Sequence, residues 1–240
     1  MTEWEEARGQ RNMAQELPQF ASTTGITAGG TNDVNLSFTN NAGNMLYAFV
    51  CWNTGNTITS VKYNSVALSL TQAQATGNTQ VAIYELASPS TGSNTLQVVM
   101  NSSGLGIAIG AYAFNNSGGS SVIGSTTASS TTTISNLLAE TSTNSIIIDA
   151  ICNNTASYSG SNPAAASGQT QEVSGTFSNF WYGTSIRRTN SPQNYSTQWN
   201  WSHLAAVGSA MVQVEVLQND KNHITYNSIR PRAFAPGIAR

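Results

Sequence analysis

Charge is what this chain has least of. Lys, Arg, Asp and Glu together make up 8% of its 240 residues, and the net charge is −2. A balance that thin leaves no basic stripe for nucleic acid. Histidine is nearly absent: only His203 and His223 occur, and no His-x-x-x-His or Cys-x-x-Cys spacing offers a zinc framework. Cysteine amounts to Cys51 and Cys152, too few for a disulfide scaffold at this length. Each sits near the end of an apolar segment, and the two read either as buried free thiols or as a bridge between the halves of the chain. No uncharged apolar run approaches the roughly 20 residues a membrane-spanning helix needs. Gly29-Gly30 and Gly118-Gly119 are not followed by the Lys of a phosphate loop, and no Gly-x-Ser-x-Gly element is present. These absences predict no catalytic residue, no metal and no cofactor, and neither nucleic acid nor membrane as a partner.

What the chain does have is short apolar or alternating runs separated by Asn, Gly, Ser and Thr. With 39% hydrophobic residues in clear runs it is not a disordered chain. Met45 to Trp52 is apolar on both faces, so it predicts a central strand covered from both sides. Around it stand the alternating Val34 to Phe38, the hairpin Ile58 to Leu70 turning at Asn64-Ser65, and Val81 to Leu86. Thr95 to Met100 and the glycine-bearing Gly106 to Phe114 complete the set. Residues 115–131 read as a connection with a short strand near Val122-Ile123. The second half then echoes the first at an offset of about 100 residues: Asn144 to Asn153 follows Asn44 to Asn53, Ser178 to Arg187 follows Val81 to Leu86, Tyr195 to Trp201 follows Thr95 to Met100, and Leu204 to Val216 follows Gly106 to Phe114. The expectation is an all-β fold, a single two-sheet sandwich of jelly-roll type built from two pseudo-repeated halves that share one core.

The domain reading is an N-terminal arm or short helix over 1–20, a β-sandwich over 21–218, and an extended basic C-terminal arm over 219–240. Thr2 with Glu5 makes a capping-box pattern, and Pro18 stops anything helical before it. Trp4 is a candidate docking anchor on that arm. Two prolines keep the C-terminal arm irregular and leave Arg230, Arg232, Phe234 and Ile238 as anchors for a neighbouring subunit. The opening residues Met1 to Glu6 are acidic, with no apolar segment behind them, so they do not read as a secretory leader. The expectation is a leader already removed, or a protein that reaches the outside by assembly into a particle.

The segment ITSVKYNSVALSLTQAQATGNTQVAIYELASPSTGSNTLQVVM, residues 58–100, resembles a widespread bacterial and bacteriophage β-sandwich module. That module has a Ser-Val-x-Tyr-Asn hairpin, a strand ending in Tyr-x-Leu, a Pro-x-x-Gly turn and a glycine-rich strand. Trp201-Ser202-His203-Leu204-Ala205 is similar to its later Trp-Ser-His strand, and the likeness spans residues 22–218. Ser65 stands where the module usually has glycine. The resemblance implies a setting in phage virion proteins or bacterial surface proteins, and it carries no catalytic residues.

Two functions follow as expectations. One is a structural virion subunit, assembled in a host cytoplasm, that packs against other virion subunits as a homo-oligomer through its faces and arms. The other is an extracellular or cell-surface adhesion module that holds a host glycan on an aromatic face. Trp181, Tyr182, Trp199 and Trp201 would form that face, with Arg187 and Arg188 beside it to meet an acidic partner or guard a sheet edge. Filling the core of the second half is the competing use for those aromatics. Glycoside hydrolysis needs two facing carboxylates. Glu85, Asp149 and Glu215 fall instead on central strands, where they read as outward or hydrogen-bonded positions, and His203 with Asp149 reads as a satisfied polar pair.

Overall fold

A computed structural model describes residues 18–26, 32–41, 43–53, 55–77, 79–103, 106–115, 117–130, 132–138, 141–142, 144–154, 162–177, 180–189, 191, 193–201 and 207–218. These residues are all-β. In the first half the strands are β1 (Gln19–Ile26), β2 (Asp33–Asn40), β3 (Met45–Asn53), β4 (Ile58–Tyr63), β5 (Val66–Ala67), β6 (Ser69–Thr76), β7 (Thr79–Ala87), β8 (Gly92–Met100) and β9 (Gly106–Phe114). The second half contributes β10 (Ser117–Ser130), β11 (Thr133–Leu138), β12 (Ile146–Asn154), β13 (Ala164–Ala165), β14 (Thr170–Phe177), β15 (Phe180–Arg188), β16 (Tyr195–Asn200) and β17 (Val207–Gln218).

These strands form four sheets rather than the two expected. A first inner sheet runs β1-β9-β3-β7-β6, and a first outer sheet runs β2-β8-β4-β5. A second inner sheet runs β10-β17-β12-β15-β14, and a second outer sheet runs β11-β16-β13. Each half is thus a sandwich of its own, and the two inner sheets stack face to face. Side-chain alternation dictates this layering. On β3, Leu46, Ala48, Val50 and Trp52 face β2, β4 and β8 in one cluster, while Met45, Tyr47, Phe49 and Cys51 face the other half. In place of the single shared core expected from the sequence, the described residues form four clusters: one inside the first sandwich, two inside the second and one between the halves. An unbroken apolar strand reports that both faces are covered, but not what covers them.

The two inner sheets have matching topology, strand for strand: β1 with β10, β9 with β17, β3 with β12, β7 with β15, β6 with β14. Their registers align as well. Met45 pairs with Phe114 and Ala87, and Ile146 pairs with Val216 and Arg188. The two inner sheets meet mainly where β6 and β7 lie against β10, β17 and β12, with lighter contacts of β3 on β12 and of β14 on β1 and β9. Tyr112 and Thr184 share a hydroxyl hydrogen bond of 2.6 Å across this interface, and the Ser120 hydroxyl donates to Glu85 at 2.7 Å.

Close approach requires small residues at specific points. Gly110 pairs with Phe49, and a Cβ there would stand 2.1 Å from the Phe49 ring, so the ring lies flat on the glycine. Two further expectations are corrected. Residues 117–130 are not a loop with a short strand in it but a 14-residue edge strand paired to β17. The N-terminal arm cannot extend to residue 20, because β1 begins at Gln19 and pairs along its whole length with β9.

Candidate functional site

The aromatic cluster of the second half is real but turned inward. Trp199 and Trp201 share one face of their strand, as period two predicts, and Trp181 meets them there, with its ring centroid 6.2 Å from that of Trp201. Trp181 and Trp199 have no exposed surface, and Trp201 is 5% exposed. Tyr182 points to the opposite side of β15, half-buried against the core between the halves. These four side chains therefore do not form an exposed platform on which a sugar could stack. Arg187 donates to the Ser196 carbonyl and lies over the Tyr195 ring at 5.2 Å. Arg188 is half-buried opposite Ile146, at the end of β15 beyond Ile186, the last residue that pairs with β14. Trp4, Arg230, Arg232, Phe234 and Ile238 lie outside the described residues, as does His203 and with it the His203–Asp149 pair.

The interior of the second sandwich holds what the aromatics concealed. In the first sandwich Ala48 lies between Ala111 on β9 and Tyr84 on β7, and Ala113 follows along β9. At the same register positions the second sandwich has Asp149, Gln213, Ser185 and Glu215. The Asp149 carboxylate accepts from the Trp199 indole N–H at 2.9 Å, the Ser185 N–H at 3.1 Å, the Ser185 hydroxyl at 2.8 Å and the Gln169 amide at 3.1 Å. Gln169 in turn accepts from the Gln198 N–H at 2.7 Å. Gln213 donates to the Thr197 hydroxyl. Glu215 accepts from the Ser142 N–H and the Ser145 hydroxyl, both at 2.5 Å.

One carboxylate thus ties the inner strand β12 to the outer strand β16. Four donors would ordinarily hold a carboxyl below its usual range, but complete burial outweighs them and pushes Asp149 up to about 6. A perturbed carboxyl can mark a catalytic centre. Here it has no opening to solvent, and among the described residues no group of three or more His, Cys, Asp or Glu could hold a metal ion. Its hydrogen bonds join β12, β15 and β16.

Cys51 and Cys152 occupy the same register position on β3 and β12 and meet in the core between the two halves. Both are buried free thiols, so the bridge considered from the sequence is not formed. The Cys51 thiol donates to the Ile151 carbonyl at 3.2 Å, and burial and the neighbouring Cys152 push it up.

One concave feature lies on the outside, a groove of about 400 Å³ on the solvent face of the first outer sheet. Its floor is β8, which presents Ser93, Thr95 and Gln97, and its walls carry Asn35 on one side and Lys62 and Asn64 on the other. The Asp33 carboxylate accepts from Gln97 at 2.7 Å and from Asn35 at 3.3 Å. The hairpin turn that forms the far wall has Asn64 at φ 48° and Ser65 at φ 66°, both left-handed. Sequence reasoning missed this groove because its residues are scattered from position 33 to 97, and only strand pairing gathers them. Comparison with protein-family models, characterised proteins and solved structures gives no match.

Proposed function

We propose that the chain is a structural subunit of a larger particle, a bacteriophage virion component that acts by packing and not by chemistry. The observation that carries this reading is the four-layer stack. The acids, thiols and large aromatics described in its interior are engaged in holding layers together. A stack of paired sheets with a polar, charge-poor exterior is a stiff block, and stiffness is what a subunit in a shell, collar or fibre supplies. The likeness of residues 58–100 to phage and surface modules supports the same setting. Contacts with other subunits would come from the sandwich faces and from the terminal arms.

The test is solution mass by light scattering, for the full chain and for a form lacking residues 1–17 and 219–240. That cut leaves β1 and β17 whole. A defined oligomer that falls to a monomer on truncation is the expected result. A monomer in both forms, with no binding to a larger particle, overturns the reading.

A further inference from the structure

We propose that the groove over β8 binds a neutral oligosaccharide. The case begins with shape. The central strand of the first outer sheet carries short hydroxyl side chains, Ser93 and Thr95, while the flanking strands carry the longer Asn35 and Lys62. Long beside short makes a trough along the strand, on a floor of paired backbone that does not move.

The chemistry of the lining then selects the ligand. Asp33 takes an amide N–H from both Gln97 and Asn35, which fixes the two carboxamides and leaves their carbonyl oxygens as the acceptors facing outward. Lys62 adds three N–H donors, and among the described residues no hydrogen bond or ion pair is recorded for it. Thr95 can donate or accept. A fixed alternation of donors and acceptors a few ångströms apart matches vicinal sugar hydroxyls, each of which needs one of both. Lys62 on β4 and Asp33 on β2 put one charge of each sign on opposite sides of β8, so the trough carries no net charge, which favours a neutral sugar over an acidic one. The far wall is stiff: Asn64 donates to the Ser90 hydroxyl at 3.0 Å, and two consecutive non-glycine residues hold the left-handed conformation there. A two-residue hairpin turn takes that conformation at both central positions, and it fixes the wall against the strand below.

The other half supplies an internal comparison. On the corresponding face of the second outer sheet, Gln198 is bonded to Asn200, Ser196 receives Arg187, and Leu137 stands 57% exposed. The inner sheets share a topology, but the two outer sheets present different side chains at corresponding positions.

The experiment is a titration of the full-length, isotopically labelled protein with four neutral trisaccharides, maltotriose, cellotriose, galactotriose and N-acetylchitotriose, followed by amide chemical shifts. At least one is expected to move the resonances of Asn35, Lys62, Thr95 and Gln97 together, with a Kd on the order of 1 mM. Gln97→Ala and Lys62→Ala should each weaken that binding about tenfold without altering the melting temperature. Ser93→Trp, which fills the trough, should abolish it. Three outcomes overturn the proposal: none of the four sugars moves these residues, the shifts survive all three substitutions, or the same resonances respond to protein concentration alone and mark a contact between copies. None of these outcomes bears on the light-scattering test, so the two readings fail separately.

Discussion

Asp149→Asn is the substitution that most directly probes how the second sandwich is held together. In the folded chain burial lifts the Asp149 carboxyl from 3.8 to about 6, against the pull of Ser185, Trp199 and Thr197. A folded value above the unfolded one means that the native state binds the proton more tightly. The resulting stability is fully present below about pH 4 and is lost as pH rises through about 6. A shift of about two units corresponds to roughly 3 kcal/mol between the two ends of that window. Asparagine mimics the neutral form and cannot titrate. It costs about 1 kcal/mol where its amide faces the Gln169 donor, so the variant should be slightly less stable than the parent at pH 4. By pH 8 it should be more stable, by about 2 kcal/mol. Urea unfolding followed by tryptophan fluorescence at pH 4, 5, 6, 7 and 8 measures both proteins. The readout is the difference between them, because Glu172, also raised by burial, titrates in the same direction in each. If the parent gains stability over the variant as pH rises, the four donors outweigh burial and the argument has the wrong sign.

Two further substitutions test the packing. Gly110→Ala places a methyl group 2.1 Å from the Phe49 ring and should cost about 3 kcal/mol; calorimetry on it and on the double variant Phe49→Leu/Gly110→Ala should show partial recovery in the double, and a neutral single variant would refute the contact. Ser65→Gly relieves a left-handed serine at φ 66° and should raise stability by roughly 0.5 kcal/mol in urea unfolding, the strain relief being partly offset by a freer unfolded chain. A loss of stability would mean that the serine side chain holds the turn.

Much of the strand content can be read from the residues. Gly106 to Phe114 is a strand with those bounds, and the apolar runs that begin at Met45 and Ile146 are the central strands Met45–Asn53 and Ile146–Asn154. The polar strands β6 and β14 are silent by comparison. Gln72, Gln74, Gln171 and Glu172 resemble loop residues because an edge strand is covered only in part. The number of layers is hidden for a different reason, since each half builds its own outer sheet from segments whose alternation is compatible with either arrangement. The aromatic cluster misleads because composition shows a cluster but not its direction. Phe180 and Tyr182 leave β15 on one side and Trp181 on the other. In the second sandwich hydrophobicity alone does not mark the inside, for Asp149, Gln213 and Glu215 are buried there beside Ile151, Trp181, Trp199 and Met211. The groove could not be read from spacing, because its side chains come from three strands and a turn.

The face-to-face stacking of two sheets with matching strand order has a consequence for counting. A chain that carries both partners of a face-to-face pair is a dimer that dilution cannot separate, and its two members are free to differ. One can keep an apolar interior and a polar outer trough while the other buries a carboxylate. In a closed ring, n such chains present 2n sandwiches in two alternating kinds. Three chains would then offer six similar positions to a neighbouring layer, with three carrying the groove and three not. A ring of identical single sandwiches could match the six but could not mark every second one.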